Sequence, residues 1–204
     1  MKKERDKMEE YSWPIKPKYK VAEHDKYGIR KNHYVLFKQR QHSGFDITAD
    51  IGTEVHPIAS GKVLLAEFDG TTTEGYDSFN DGYGNKVEIL NEDGRRVVYG
   101  HLREYYVKPG DIVTKDTVIG ITGTSGGSRV PHLHLEIRKT NTEETGLEYT
   151  INPLEVLPKI NLDELTQEFT QEPYAHLWKK LTSDEPWNFT KEDIPYSEDK
   201  NYIR

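Results

Sequence analysis

Two histidines one residue apart, His132 and His134 in "PHLHLEIR" (Pro131–Arg138), are the first residues whose types and spacing suggest chemistry. The stretch alternates apolar and polar residues as a β-strand does, so both imidazoles project from one face and Leu133 and Leu135 from the other. Side chains two apart on a strand start about 7 Å from each other, close enough to serve one site. A second group lies far upstream. "HSGFD" (His42–Asp46) is His-x-x-x-Asp, and an extended backbone again puts its first and last residues on one side, with Gly44 permitting a bulge or a close approach. A third is His101 in "VVYGHL", at the expected end of a strand.

Three protein ligands drawn from His and carboxylate, with one position left for water, is the donor set of a catalytic zinc. His42, Asp46 and either His132 or His134 supply it. The remaining imidazole of the pair would stand beside the metal, able to take a proton from a bound water whose pKa zinc lowers to about 7. His101 would add a hydrogen bond to that water or to a developing oxyanion. Taken singly, each motif is more often structural than functional. His-x-His in a strand is commonly a partly exposed polar pair, and His-x-x-x-Asp is weaker still. The reading rests on their coincidence. His24, His33, His56 and His176 show no partner pattern and are expected to be structural or solvated.

The elements that must position these groups read as strands. "HYVLFKQ", "SGFDITAD", "EVHPIASGKVLLAEF", "NKVEILNEDGRRVVYGHL", "IVTKDTVIGITG" and "HLHLEIRK" follow one another with turn residues between them. Val63 and Leu65, and Val87 and Ile89, alternate at period 2, and Asn91–Gly94 reads as a hairpin turn. No segment of helical length interrupts them, so the core is expected to be all-β and largely antiparallel. Residues 69–84, rich in Gly, Thr and Asp, read as a long loop. Beyond Pro158, Asn161 and Glu164 form a plausible helix N-cap pair, and Leu162, Leu165 and Phe169 fall on one helical face, followed by Leu177 and Leu181.

Composition narrows the function classes. The chain has 204 residues and a net charge of −7. Residues 1–40 hold 12 basic and 6 acidic residues, but residues 41–158 hold 10 and 19. A nucleic-acid binder carries its basic residues through the folded part, so nucleic acid is not an expected partner. The basic arm, residues 1–25, reads as a solvated segment, with contact to an anionic polymer or surface as the minority reading. No cysteine is present, which excludes disulfides, thiolate metal sites and cysteine nucleophiles. No apolar window is long enough to span a membrane. The opening residues carry charge without the apolar run of a signal peptide, so either the protein is made without a leader or the leader lies outside this chain.

The three motifs "HSGFD", "YGHL" and "PHLHLEIR", in that order, resemble the lysostaphin-type (LytM-type) zinc metallopeptidases, which cut cross-bridges or stem peptides of bacterial peptidoglycan. "YGIR" (Tyr27–Arg30), "GTEVHPIASGKV" (Gly52–Val63), "GYGNKVEI" (Gly82–Ile89) and "VKPGDIVTKDTVIGITGTSG" (Val107–Gly126) extend the likeness over roughly residues 25–158. The resemblance implies a two-layer, mostly antiparallel β-sandwich over residues 26–158, with an N-terminal arm (1–25) and a partly helical extension (159–204). It assigns His42, Asp46 and His134 to one zinc per chain, and His101 and His132 to catalysis beside it. It implies peptidoglycan peptides as substrate and an extracellular or envelope location. The loop at 69–82 is longer than a minimal member needs and is expected to wall a groove. Two rivals remain. A catalytically silent protein of the same fold that regulates another wall hydrolase or joins a membrane complex would usually have lost one of the five positions. A phosphocarrier with paired histidines would not require His-x-x-x-Asp.

Overall fold

The alternation in "HLHLEIR" builds a strand with two different faces, and the rest of the fold is arranged around them. The computed structural model describes residues 10–22, 25–29, 41–70, 82–128, 130–172, 174–175 and 178–179. Among these, eleven strands follow in order: β1 (Gly28–Ile29), β2 (Gln41–His42), β3 (Phe45–Thr48), β4 (Glu54–Val55), β5 (Gly61–Phe68), β6 (Asn85–Asn91), β7 (Arg96–Tyr105), β8 (Ile112–Val113), β9 (Gly120–Thr122), β10 (His132–Arg138) and β11 (Thr150–Ile151). β1 and β2 form a separate antiparallel pair. The others belong to one sheet with the path β11–β10–β7–β6–β5–β8, to which β3 adds through β10, and β9, with β4 beyond it, through β7. Every named pairing is antiparallel, and the fold is all-β as expected.

One face of the central strands is apolar. Leu133, Leu135 and Ile137 of β10 pack in a single cluster with Phe45 and Ile47 of β3, Val97 and Tyr99 of β7, and Val87 and Ile89 of β6. Val55, Ile58, Val113 and Ile119 complete that cluster. The one polar atom that Tyr99 buries there is satisfied, since its hydroxyl accepts from the Ile58 N–H at 2.9 Å.

The other face stacks polar residues in rungs. Asp46 of β3, His134 of β10 and Gly100 of β7 are direct cross-strand partners. The next rung is Glu136, Val98 and Glu88, and the one below it Arg138, Arg96 and Leu90. Residues opposed across an antiparallel pair share a face with Cβ atoms about 5 Å apart. The register therefore delivers Asp46 to His134 before any side-chain detail is considered.

Three local features differ from the sequence expectation. A bulge between Val63 and Leu65 breaks their period-2 relation, leaving Val63 buried and Leu65 only half-buried. The solvated arm is not found over its described part: Tyr11, Ile15, Tyr19 and Ala22 are buried, and Trp13 packs edge-to-face on Phe45 at 6.3 Å. One of its charges is engaged, Lys18 meeting the Asp50 carboxylate together with the Tyr19 hydroxyl. In the C-terminal segment, Asn161 caps as expected, accepting from the Asp163 N–H, but between Asn161 and Phe169 the described chain forms a 3-10 turn, Leu162–Glu164, rather than an α-helix, and helical residues appear further on at Ala175, Trp178 and Lys179. Gln167 then pairs in an isolated parallel bridge with Tyr19, and Phe169 and Trp178 are buried with Tyr19 and Val130. The pull of that second cluster outweighs the local helical pattern. Leu177 and Leu181 lie outside the described residues, as do most of the 69–84 loop and residues 1–9. The Asn91–Gly94 turn is present, with the Gly94 N–H on the Asn91 carbonyl.

Because the arm is part of the core, Ile15→Ala should lower the unfolding free energy by about 2–3 kcal/mol in urea titration, the cost of an aliphatic cavity. A solvated arm would give no change.

Candidate metal centre

β3 and β10 place Asp46 and His134 side by side, and β2 brings His42 to the same spot. Asp46 Oδ1 lies 2.8 Å from His134 Nδ1 and 3.1 Å from His42 Nε2, and the two ring nitrogens are 3.1 Å apart. All three residues are buried. They form the group of ligand-type atoms, among the described residues, close enough to hold one cation. Around a tetrahedral zinc with bonds of about 2.0–2.1 Å, ligand atoms stand roughly 3.3 Å apart. The observed triangle is a few tenths tighter, as expected of donors that share a proton, and the two-imidazole, one-carboxylate chemistry suits zinc.

The turn between β2 and β3 makes the approach possible. A Cβ on Gly44 would sit 2.6 Å from His134 Cε1 and 2.6 Å from the Leu135 carbonyl oxygen, so this position has no room for a side chain. His42 Nδ1 donates to the Lys26 carbonyl at 2.9 Å, which aims Nε2 at Asp46 and His134.

His101 and His132 stand beside the triangle. Their ring centroids are 4.7 Å apart, and His101 lies 5.7 Å from His134. His132 Nε2 is 3.6 Å from Asp46 Oδ1. Each donates Nδ1–H to a backbone carbonyl, His101 to Ser125 at 2.8 Å and His132 to Val130 at 2.7 Å, so each turns Nε2 toward the cluster. Ser128 Oγ also contacts His132 Nδ1 at 3.1 Å. His101 does not end its strand, as the sequence suggested. It sits inside β7 with φ of 60°, where β7 exchanges β10 for β9 as its neighbour and its register with β6 slips by one residue. This left-handed bulge aims the ring out of the sheet. The His101 N–H is held by the Tyr83 carbonyl at 2.7 Å. The two loops that supply these carbonyls meet at Gly84 and Gly126, with φ of +64° and +69°, where a Cβ on either would fall within 2.4 Å of the other's amide nitrogen. Of the histidines without a partner pattern, His56 lies apart from the cluster, 3.9 Å from Glu54. His24, His33 and His176 are outside the described residues.

Charge follows geometry. Burial alone would raise the Asp46 carboxyl, but the His42 and His132 imidazoles and the hydrogen bond from His134 hold it well below the usual carboxylate range. Burial opposes charge on His134, yet the Asp46 hydrogen bond, with Glu136 behind the ring, holds its pKa up to about 9. Burial pushes His101 well down, and His132 and His134 push it further, so it is neutral.

The same face carries residues the motif reading did not single out. Glu136 is fully buried and Arg138 nearly so. Glu136 Oε2 accepts from the hydroxyls of Ser43, Tyr83 (2.9 Å) and Thr145 (2.8 Å), the Ser43 contact at 2.5 Å, and Oε1 accepts from Arg138 Nε at 2.8 Å. Burial would raise this carboxyl, but His134, Ser43 and Arg138 pull it down to about 2. Burial and Glu136 push Tyr83 up to about 12, keeping it a phenol that donates. Arg138 continues to Glu88, Glu88 to Arg96 and Arg96 to Glu143. The signal was available: the alternation that aligns His132 with His134 also aligns Glu136 and Arg138.

Residues 40–145 match the family model described as Peptidase family M23. Lysostaphin of Staphylococcus simulans is 38% identical over 96 residues, which cover 47% of this chain and 17% of that protein. The DD-carboxypeptidase/endopeptidase Mpg of Neisseria meningitidis is 35% identical over 106 residues, covering 52% of this chain and 22% of that protein. The chain thus spans about a fifth of these relatives' length. Among solved structures, the catalytic domain of lysostaphin from Staphylococcus simulans superimposes with a TM-score of 0.53 at 31% identity, over 64% of this chain and 86% of that one.

Two outcomes test the centre. Gly44→Ala should abolish zinc retention, measured by elemental analysis, while the β circular-dichroism spectrum persists, because the methyl displaces the His134 ring. Since His134 is protonated below about pH 9 in the metal-free state, zinc binding at pH 7 should release about one proton, and apparent affinity should rise with pH up to about 9 and then level off. Calorimetry in buffers of different ionisation enthalpy measures both.

Proposed function

This chain belongs to peptidase family M23, and we propose that it is a zinc-dependent endopeptidase that hydrolyses peptide bonds in bacterial peptidoglycan cross-links or stem peptides, acting outside the cell or in the envelope. The observation that carries this reading is the buried triangle of His42 Nε2, Asp46 Oδ1 and His134 Nδ1, with two further imidazoles presenting Nε2 beside it.

His42, Asp46 and His134 would hold the ion. When bound, zinc would supply a Lewis acid that polarises the scissile carbonyl and lowers the pKa of a water. His132 is the general base. Its Nδ1–H is fixed on the Val130 carbonyl, so Nε2 is free to take the water proton and pass it to the leaving amine. His101, neutral and fixed on Ser125 through its Nδ1–H, turns the lone pair of Nε2 toward the site, where it accepts a hydrogen bond from the attacking water and orients it. The left-handed bulge keeps that ring in place without reorganisation at the moment of reaction. Asp46, ionised across the working range, offsets positive charge that accumulates on His132 during proton transfer. Among the described residues no helix is long and apolar enough to cross a membrane.

Digestion of defined muropeptides, with products read by mass spectrometry, should give peptide-bond cleavage that a chelator abolishes and added zinc restores. His134→Ala should lose metal and activity together. His132→Ala should retain zinc and lose turnover by about 100-fold or more, the scale of a general base. Retention of zinc by the native chain with no cleavage of any muropeptide would instead favour a non-hydrolytic binding role.

A further inference from the structure

The Glu136 carboxylate has more partners than a structural ion pair needs, and they come from four separate places. Ser43 lies in the turn between β2 and β3, Tyr83 in the loop before β6, Thr145 in the segment before β11, and Arg138 on β10 itself. Three hydroxyls converge on one oxygen, Oε2, and Oε2 is the oxygen that faces His134, 4.0 Å from its Nε2. That Nε2 is buried and has no hydrogen-bond partner, while the ring's other nitrogen faces Asp46 and His42. A buried imidazole edge without a partner is costly, and the Glu136 carboxylate that faces it stands about 1 Å beyond hydrogen-bond reach. Burying a carboxylate is unfavourable unless its lone pairs are satisfied, and replacing such a pair by apolar residues is often neutral or stabilising. A role beyond stability accounts for its presence.

We propose that Glu136 is a positioning residue for the metal centre: its carboxylate, aimed by the hydroxyls of Ser43, Tyr83 and Thr145 and by the Arg138 guanidinium, accepts a hydrogen bond from His134 Nε2–H and so commits Nδ1 to the cation. The two histidine ligands are then oriented by different devices. His42 has its Nδ1 on a backbone carbonyl and offers Nε2; His134 turns its Nε2 to a carboxylate 4.0 Å away and offers Nδ1. The carboxylate fixes the tautomer and raises the basicity of the donor nitrogen, which a carbonyl does less strongly. Tyr83 serves the arrangement twice. Its hydroxyl reaches Glu136, and its ring lies against His134 with centroids 5.5 Å apart.

The proposal rests on the metal-centre reading, and one experiment separates the two. Zinc affinity of the full chain is measured by competition with a chromophoric chelator, for the native protein and for Glu136→Gln. In the zinc-loaded, nitrogen-15-labelled protein the His134 Nε2–H resonance is recorded alongside. Glu136→Gln should weaken zinc about 10- to 100-fold and shift that resonance upfield, with the metal-free protein still folded by circular dichroism. Affinity within threefold of native and an unmoved resonance would overturn the proposal and leave the metal centre standing. A native chain that takes up no zinc would sink both. Should Glu136→Gln not fold, Ser43→Ala keeps the carboxylate and removes one of the hydroxyls that aim it. It should weaken zinc about three- to tenfold, and native affinity in that variant would count against the proposal in the same way.

Discussion

The antiparallel pairing of β3 with β10 is the constraint on which everything else depends. It sets Asp46 opposite His134 and Ile47 opposite Leu133 in the same register. The core and the polar site are therefore two faces of one alignment. A slip by one residue would turn Asp46 into the apolar cluster and Phe45 toward the histidines. The hydrophobic face, with Phe45, Leu133 and Leu135 fully buried, makes that slip prohibitive. Stability of the core and accuracy of the site are in this sense the same interaction.

The polar face is a ladder of alternating charge. Asp46 sits among imidazoles, Glu136 lies one rung below His134, and Arg138 one rung below Glu136. Glu88 and Arg96 extend it laterally across β6 and β7. Each buried charge has an opposite neighbour within hydrogen-bond distance, so the low-dielectric interior strengthens the set rather than expelling it. The outer end of the ladder reaches the exposed Glu143, and the inner end reaches the candidate cation site.

The shared side of His132 and His134 was legible because spacing along one strand is nearly rigid, whereas His42 and Asp46 meet across the turn at Gly44 between β2 and β3. Choosing between His132 and His134 as ligand was beyond spacing. It came from the family resemblance; the ligand-type atoms that lie together are those of His42, Asp46 and His134. Glu136 and Arg138 went unread because polar residues on a strand suggest a solvated face, and only long-range partners such as Tyr83 and Thr145 reveal a buried one. The left-handed conformation at His101 follows from a change of neighbouring strand, which no local pattern encodes. The helical face read from Leu162 to Phe169 failed in the opposite way. Its cap is real at Asn161, but Tyr19, more than 140 positions earlier, pairs with Gln167 and draws the chain out of helical form.

The long span closed by β3 and β10 also bears on the order of assembly. β6 and β7 are joined by a short turn and can pair early, whereas Asp46 and His134 are separated by 88 positions. The entropy of closing so large a loop places that contact late in folding. Partly folded chains accordingly lack the ligand triangle, and a cation that needs all three groups would be held only once that long-range pairing has formed.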